Sequence, residues 1–463
     1  MVLGQMNRID VLPDDVLQGI FDFYTGEYLR FPGKRNVEAW QSLVHVCRRW
    51  RSIVLGSPRR LNLQLYCTPR TPARKTLDVW PALPLHVVGG VAGGNVAFSS
   101  GMDDIIAALG QSSRVCQVKL LGLAGLHLEN VSAAMQAPFP ELTVLWLSLH
   151  GETSPVISDS FLGESAPRLR YVTLDGIPYP GLPKALLSAN HLVDLVLSNI
   201  PHSGYFSPEA MVASLSVISR LESLSLEFRS PQPRPDWETR RSPPPKRFIL
   251  PTLENLIFKG VTEYLEILVT FVDAPRLAHF QITFFNQIDF DIPRLSQFIN
   301  RTPPLRNRDE AHVQFDDRSA GILFGTLQIS VLCREPDWQV SSIEQVCSSS
   351  LHPASTVEYL YIERRHLPLV WKEDAIEDTL WLQLLFPFIR VKNLYLSKEF
   401  APIIAAALQE LVGGGITEVL PGLQNIFIEQ LRVEPSGPFL KSLEQFAAMR
   451  QLSNHPVTIS DWV

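Results

Sequence analysis

Apolar residues recur along this chain with two periods, and the change from one to the other divides it. Between residues 12 and 54 the spacing is helical. Val16, Leu17, Ile20, Phe21 and Tyr24 share one helical face, and Trp40, Leu43, Val44, Cys47, Trp50 and Val54 share another over nearly four turns. Pro13 suits a first helical position, where its missing N–H would have had no partner. Asp14 and Asp15 then place negative charge where the helix dipole favours it. The pattern predicts two amphipathic helices within residues 1–56. A piece that small rarely buries enough surface to fold alone, so its apolar faces need a cover.

From residue 57 the rhythm shortens. Leu61, Leu63 and Leu65 alternate, predicting a strand over 60–66, and Leu85–Val88 predicts a second. Then a phrase returns: Leu-x-x-Leu-x-Leu, often with Pro two residues ahead. It begins at Val115/Val118/Leu120 and continues through Leu142/Leu145/Leu147, Leu169/Val172/Leu174, Leu192/Leu195/Leu197, Leu221/Leu224/Leu226, Leu253/Leu256/Phe258 and Leu277/Phe280/Ile282. It resumes at Val357/Leu360/Ile362, Val391/Leu394/Leu396 and Leu423/Ile426/Ile428. First positions 142, 169, 192, 221, 253 and 277 lie 27, 23, 29, 32 and 24 residues apart, enough for one strand and one helix per unit. The intervening segments supply those helices. Ser207-Pro208-Glu209 opens one with Met211, Val212, Leu215 and Ile218 on a face; Leu265, Leu268, Phe271 and Val272 make another. Ile403, Ile404, Ala407, Leu408 and Leu411 make a third, stopped at Gly413.

Two stretches interrupt the phrase. Residues 230–247 are Pro-rich, charged and aperiodic, predicting a disordered loop. Over 300–356 the phrasing blurs, although Val313/Phe315 and Leu327/Ile329/Val331 read as strands and Trp338, Ile343 and Val346 as a helix. The expected organisation is therefore a helical domain (1–56), a strand–helix array (57–300), and its continuation (301–463). A last helix, with Phe439, Leu440, Leu443, Phe446 and Ala447 inward and Lys441, Glu444, Gln445 and Arg450 outward, is expected to cap the stack.

The first segment resembles the F-box. The matching residues are Leu12, Pro13, Asp15, Val16, Leu17, Ile20 and Phe21, then Val46, Cys47, Arg48, Arg49 and Trp50. The gap between the helices, Thr25 to Val37, is longer than usual in that family, and Ser57-Pro58-Arg59-Arg60-Leu61 stands where it often has a Trp. The resemblance implies docking on a Skp-type adaptor carried by a cullin scaffold in a ubiquitin ligase. Leu12, Pro13, Val16, Leu17, Ile20, Phe21, Leu43, Val46, Cys47 and Trp50 would then carry the contact. The second segment resembles leucine-rich repeats, which implies an irregular solenoid of the α/β class. The family's Asn three residues past the last Leu is missing: Leu123, Ile177, Ile200, Val261 and Phe285 stand there, with Asn199 one place early. Such turns are expected to close by packing. An ordinary α/β sheet would give the same phrases.

In each phrase the Leu positions face inward and the alternate ones outward. Outward positions include Trp146, Tyr171, Tyr359, Tyr361, Tyr395 and Phe427, aromatic anchors of the kind that hold a protein target. The alternative is that a tail or helix of the same chain covers them.

Composition narrows the function. With 46% hydrophobic and 19% charged residues, the 463-residue chain is of globular type. A net charge of −6 argues against nucleic acid as partner, because phosphate binding needs a concentrated positive field. Five scattered cysteines, none in a C-x-x-C pair, fit reduced thiols in the cytoplasm or nucleus. No apolar signal core or span-length apolar run is present, so neither secretion nor a membrane is expected.

No H-E-x-x-H or G-x-S-x-G occurs. The Gly-rich stretch 89–101 lacks the Gly-Lys-Ser/Thr of a phosphate loop. Carboxylates at Asp289 and Asp291, or Asp316 and Asp317, lack further metal ligands, and Glu373-Asp374 with Glu377-Asp378 read as a polar helix face. No cofactor or catalytic set is expected. The expectation is a substrate-receptor subunit bridging a Skp-type adaptor to an unknown target. The alternatives are an interaction scaffold outside ubiquitin transfer and, third, an enzyme with a discontinuous active site.

Overall fold

A computed structural model describes residues 12–29, 39–59, 61–70, 72–90, 101–151, 155–231, 247–286, 290–306, 309–348, 354–365, 377–429 and 438–462. Most of the Gly-rich stretch and of the Pro-rich loop, together with Asp289 and Glu373-Asp374, lies outside these residues. The fold is mixed α/β, with mostly parallel strands. It divides into two compact units, Met1–Ala189 and Asn190–Val463, so the boundaries expected near 56 and 300 fall inside them.

The first unit opens on three helices, not two: α1 (Asp14–Leu29), α2 (Ala39–Val44) and α3 (Arg48–Gly56). The expected four-turn helix breaks because Cys47 is extended (φ −157°) and its Sγ accepts the Trp50 N–H at 3.4 Å, capping α3. Arg51 Nε donates to the Val44 carbonyl at 3.0 Å and closes α2. Beyond them come α4 (Ala73–Val79), α5 (Met102–Leu109), α6 (Gly125–Ala134) and α7 (Leu182–Leu186). Five parallel strands pair in chain order: β1 (Leu65–Cys67), β2 (Leu85–Gly89), β3 (Val115–Leu123), β4 (Val144–Leu149) and β5 (Tyr171–Asp175). β1 is shorter than the alternation predicts. Leu61 and Leu63 are buried, but Asn62 takes φ +47° and holds them in a turn.

The second unit carries β6 (Asp194–Ile200), β7 (Ser223–Phe228), the minor β8 (Phe248–Ile249), β9 (Asn255–Gly260), the minor β10 (Val272–Asp273) and β11 (His279–Phe285). These are followed by β12 (Glu310–Phe315), β13 (Ser319–Phe324), β14 (Leu327–Leu332), β15 (Tyr359–Arg364), β16 (Asn393–Leu396), β17 (Asn425–Glu429) and β18 (Thr458–Trp462). Its helices are α8 (Pro208–Leu215), α9 (Thr262–Phe271), α10 (Pro293–Arg301), α11 (Pro336–Ser348), α12 (Asp378–Leu385), α13 (Ala401–Glu410) and α14 (Pro438–Leu452). The strand order is β6-β7-β9-β11-β14-β13-β12-β15-β16-β17-β18. Among the described residues only β13 runs against its neighbours, as the middle of a hairpin-linked trio that blurs the phrasing after 300. α8 packs on α9, α9 on α10, and α11 through α14 pack in succession.

Each phrase forms the same local structure. Its last two apolar positions lie in a strand and its first, except for Val115 inside β3, just before it; Leu142, Leu145 and Leu147 are 0, 2 and 0% exposed. The turn explains the proline. Leu142, Leu169, Leu253, Leu277 and Leu423 each donate their N–H to the carbonyl three residues back, on Phe139, Ala166, Leu250, Ala274 and Leu420. Pro140, Pro167, Pro251, Pro275 and Pro421 occupy the second place of these turns, where a fixed φ is favourable. These turns, which lead into the strands, therefore close by backbone hydrogen bonds; they are distinct from the turns after the strands, where the family's Asn is missing. Successive strands are also tied by shared acceptors: Glu254 and Asn255 donate to the Glu222 carbonyl, and Ala278 and His279 to that of Glu254. Gly122, Gly176 and Asn199 share a left-handed φ (68°, 69° and 51°) one residue before Leu123, Ile177 and Ile200. Asn199 thus serves as a backbone residue of the turn.

Two expectations about the last helix are corrected. α14 does not end the stack, because β18 follows it and pairs with β17. Arg450, expected outward, is fully buried. Its guanidinium donates to the carbonyls of Ile416 (3.0 Å), Leu420 (3.1 Å), Pro421 (3.4 Å) and Leu423 (3.4 Å).

Candidate functional site

Two surfaces collect the residues singled out by the sequence. The first is on α1–α3. α1 has two apolar stripes rather than one. Leu17 and Phe21 are buried (1 and 0%), whereas Val16, Ile20 and Phe23 are 42, 48 and 74% exposed. Positions 16, 20 and 23 follow the i, i+4, i+7 spacing of a single face. Val46, in the turn before α3, is 59% exposed, and Pro13 and Cys47 are also exposed.

The remaining residues build the scaffold beneath. Leu43 is buried, Leu12 is partly covered, and the Phe21 and Trp50 rings meet at 4.8 Å. Trp40 is buried with its indole N–H on the Gln64 carbonyl (3.1 Å) and its ring against Trp80 (5.0 Å). Arg49 joins α3 to the start of α1 through Asp14 (2.6 Å) and the Leu12 carbonyl. Leu17, Phe21 and Leu43, expected among the contact residues, therefore shape this surface from behind. Phe23 was missed; its spacing from Val16 and Ile20 was the available signal.

The second surface is the open face of the strands. In the first unit Trp146 (40% exposed) on β4 and Tyr171 (41%) on β5 are diagonal neighbours, with Lys119 of β3 level with Trp146. In the second unit Tyr361, Tyr395 and Phe427 form a continuous stack with His312. His312 lies on Tyr361 (4.4 Å, 8° between planes), Tyr361 on Tyr395 (4.3 Å, 10°), and Tyr395 on Phe427 (4.5 Å, 11°). The in-register pairing of β12, β15, β16 and β17 puts these side chains level, so strand spacing sets the stacking distance. One position earlier on this face, Asn425 donates to Asn393 (2.8 Å) and Thr458 to Asn425 (2.6 Å), while Tyr359 stands beside them, 36% exposed. Trp462 of β18 turns its edge to Tyr361 (5.8 Å) and Tyr395 (5.5 Å). A segment of the same chain thus covers the row in part, and Tyr361, Tyr395 and Phe427 remain half-exposed.

The stack ends in charge. His312 Nδ1 meets Glu363 (3.0 Å) and its Nε2 meets Glu310 (2.7 Å), while Gln314 also donates to Glu363 (2.8 Å). The Glu363 hydrogen bond raises the His312 pKa above its usual value, and the same bond lowers that of Glu363. Burial, then the neighbouring Tyr395, pushes Tyr361 up to about 12. At the C-terminal ends of these strands lies a cavity of ≈ 240 Å³ lined by Glu363, Arg364, Arg365, Ser397, Lys398, Glu399, Glu429 and Trp462. Sequence reasoning found neither His312, because the phrasing blurs over β12, nor this cavity, because Arg365 and Lys398 lie past the ends of β15 and β16, outside the phrase.

All five cysteines are free. Among the described residues there is no cluster of three potential metal ligands, and no helix is long and apolar enough to cross a membrane. The chain is thus mixed α/β with mostly parallel strands, an exposed apolar helical face and an aromatic row. Compared with family models and with curated proteins, its sequence matches none.

Proposed function

We propose that this chain is a non-catalytic receptor subunit of a Skp-cullin-F-box type ubiquitin ligase. The helical segment would bind a Skp-type adaptor, the leucine-rich-repeat-like strand face would hold a target protein, and other subunits would transfer ubiquitin. One observation carries the reading: α1 keeps Val16, Ile20 and Phe23 in solvent although its opposite stripe is packed. Exposed apolar side chains grouped on one face mark an interaction surface. The F-box resemblance of residues 12–50 gives that surface its partner.

The test is capture of the purified full chain on an immobilised Skp-type adaptor. Val16→Asp with Ile20→Asp is expected to weaken capture at least about thirtyfold, the effect of removing a hot spot worth about 2 kcal/mol. Thermal stability should be unchanged, since both side chains are exposed. Leu17→Asp is the wrong probe because it buries a charge and unfolds the segment. Tyr395→Ala should leave adaptor capture intact. Absence of capture by the wild-type chain would favour an interaction scaffold unconnected to ubiquitin transfer.

A further inference from the structure

The cavity at the ends of β15–β18 has the chemistry of a receptor for one anionic side chain. Its eight lining residues include three carboxylates and three cations, but their engagement is unequal. Glu399 is paired with Arg364 (3.2 Å). Glu363 is held by His312 and Gln314, and Glu429 accepts the Lys398 backbone N–H (3.3 Å). Arg365 and Lys398 line the same space, and no carboxylate among the described residues pairs with either side chain.

Ser397 supplies the independent sign of a missing partner. The residue is 4% exposed and lines the cavity, and its Oγ has no hydrogen-bond partner. Leaving a buried hydroxyl unmatched is unfavourable, and a bound acceptor would remove that penalty. Trp462 forms a further wall and leads from the cavity to the Tyr361–Tyr395 stack. At ≈ 240 Å³ the space is below the roughly 300–1,000 Å³ taken by whole small-molecule ligands, and suits a single side chain.

We infer that the cavity anchors an acidic side chain of an extended target peptide. Arg365, Lys398 and the Ser397 hydroxyl hold its anionic head, and the flanking peptide residues lie against Trp462 and the tyrosine stack. The same oxygens could come from an Asp or Glu carboxylate or from a phosphorylated Ser, since cation and hydroxyl donors serve both. The inference rests on the strand face being the target-binding surface, but not on the adaptor.

The experiment uses the full chain with 5-fluorotryptophan, following the Trp462 signal, assigned from a Trp462→Phe variant, by fluorine NMR. The probes are the N-acetyl amides of glutamate, phosphoserine and glutamine. Glutamate or phosphoserine, or both, should move the Trp462 signal saturably, and glutamine should not. Ser397→Ala should weaken the response severalfold. Arg365→Glu with Lys398→Glu should weaken it at least tenfold while the other tryptophan signals stay in place. A tenfold preference for phosphoserine assigns the site to a modified target; comparable binding of glutamate assigns it to an unmodified acidic one. No response to either anion, or an equal response to glutamine, overturns the inference. It would do so without touching the adaptor reading, because the adaptor is absent from the measurement.

Discussion

His86 and His312 are both histidines on strands, and their surroundings drive them in opposite directions. His86 is 5% exposed on β2, with its ring against Tyr66 at 4.9 Å. Burial, aided by Lys119, lowers its pKa to about 4. The folded first unit therefore holds a neutral imidazole, while the unfolded chain takes up a proton near pH 6.5. This contribution is complete above pH 6.5 and is lost as the pH falls toward 4. It amounts to about 2 kcal/mol by pH 5. Thermal melts at pH 7 and pH 5 should show that loss, and His86→Phe should remove most of the difference. His312, raised by Glu363, behaves in reverse. Its contribution is present below pH 6.5 and fades as the pH rises through its elevated folded value. A tyrosine-fluorescence melt of the second unit, in which His312→Gln flattens the alkaline decline, would check the sign.

At the scale of elements, much of the molecule was legible because buried apolar positions recur with strand spacing. All ten phrases place their last two apolar residues within a strand, and each of those residues is buried. What escaped was polar or conformational. The break between α2 and α3 depends on Cys47 acting as a cap, which an apolar pattern scores as one more core residue. β18 escaped because Thr458 to Trp462 has only Ile459 as an aliphatic signal. Arg450 escaped because a charged residue reads as surface until its four carbonyl partners are known, and those come from a loop some thirty positions earlier. Arg450→Met should consequently destabilise the second unit by about 3 kcal/mol, since several buried carbonyls lose their donor and a thioether restores none. Urea unfolding would measure it; a change below about 0.5 kcal/mol would mean water takes over those carbonyls.

At the scale of the whole molecule, the chain is two units, and only the second contains the reversal β12–β13–β14. That reversal is where sequence phrasing fails, since β12 pairs with β15 while β14 pairs with β11. Ile322, in the middle of β13, is 1% exposed, and Ile322→Ala should cost about 2–4 kcal/mol. Hydrogen exchange should then show the amides of β6–β11 and of β15–β18 opening with separate free energies, where the wild-type unit opens them together. A uniform decrease across all strands would contradict this.

The out-of-order trio also constrains assembly. A stack of strand–helix units normally grows by adding each new strand to the last one formed. When β12 leaves the ribosome, however, its eventual neighbour β15 does not exist, and two vacant lanes separate it from β11. Only after β14 has turned back to fill the lane beside β11 can the later strands find their edge. The second unit should thus mature through a clasp closed from behind, with synthesis running ahead of docking at this one place.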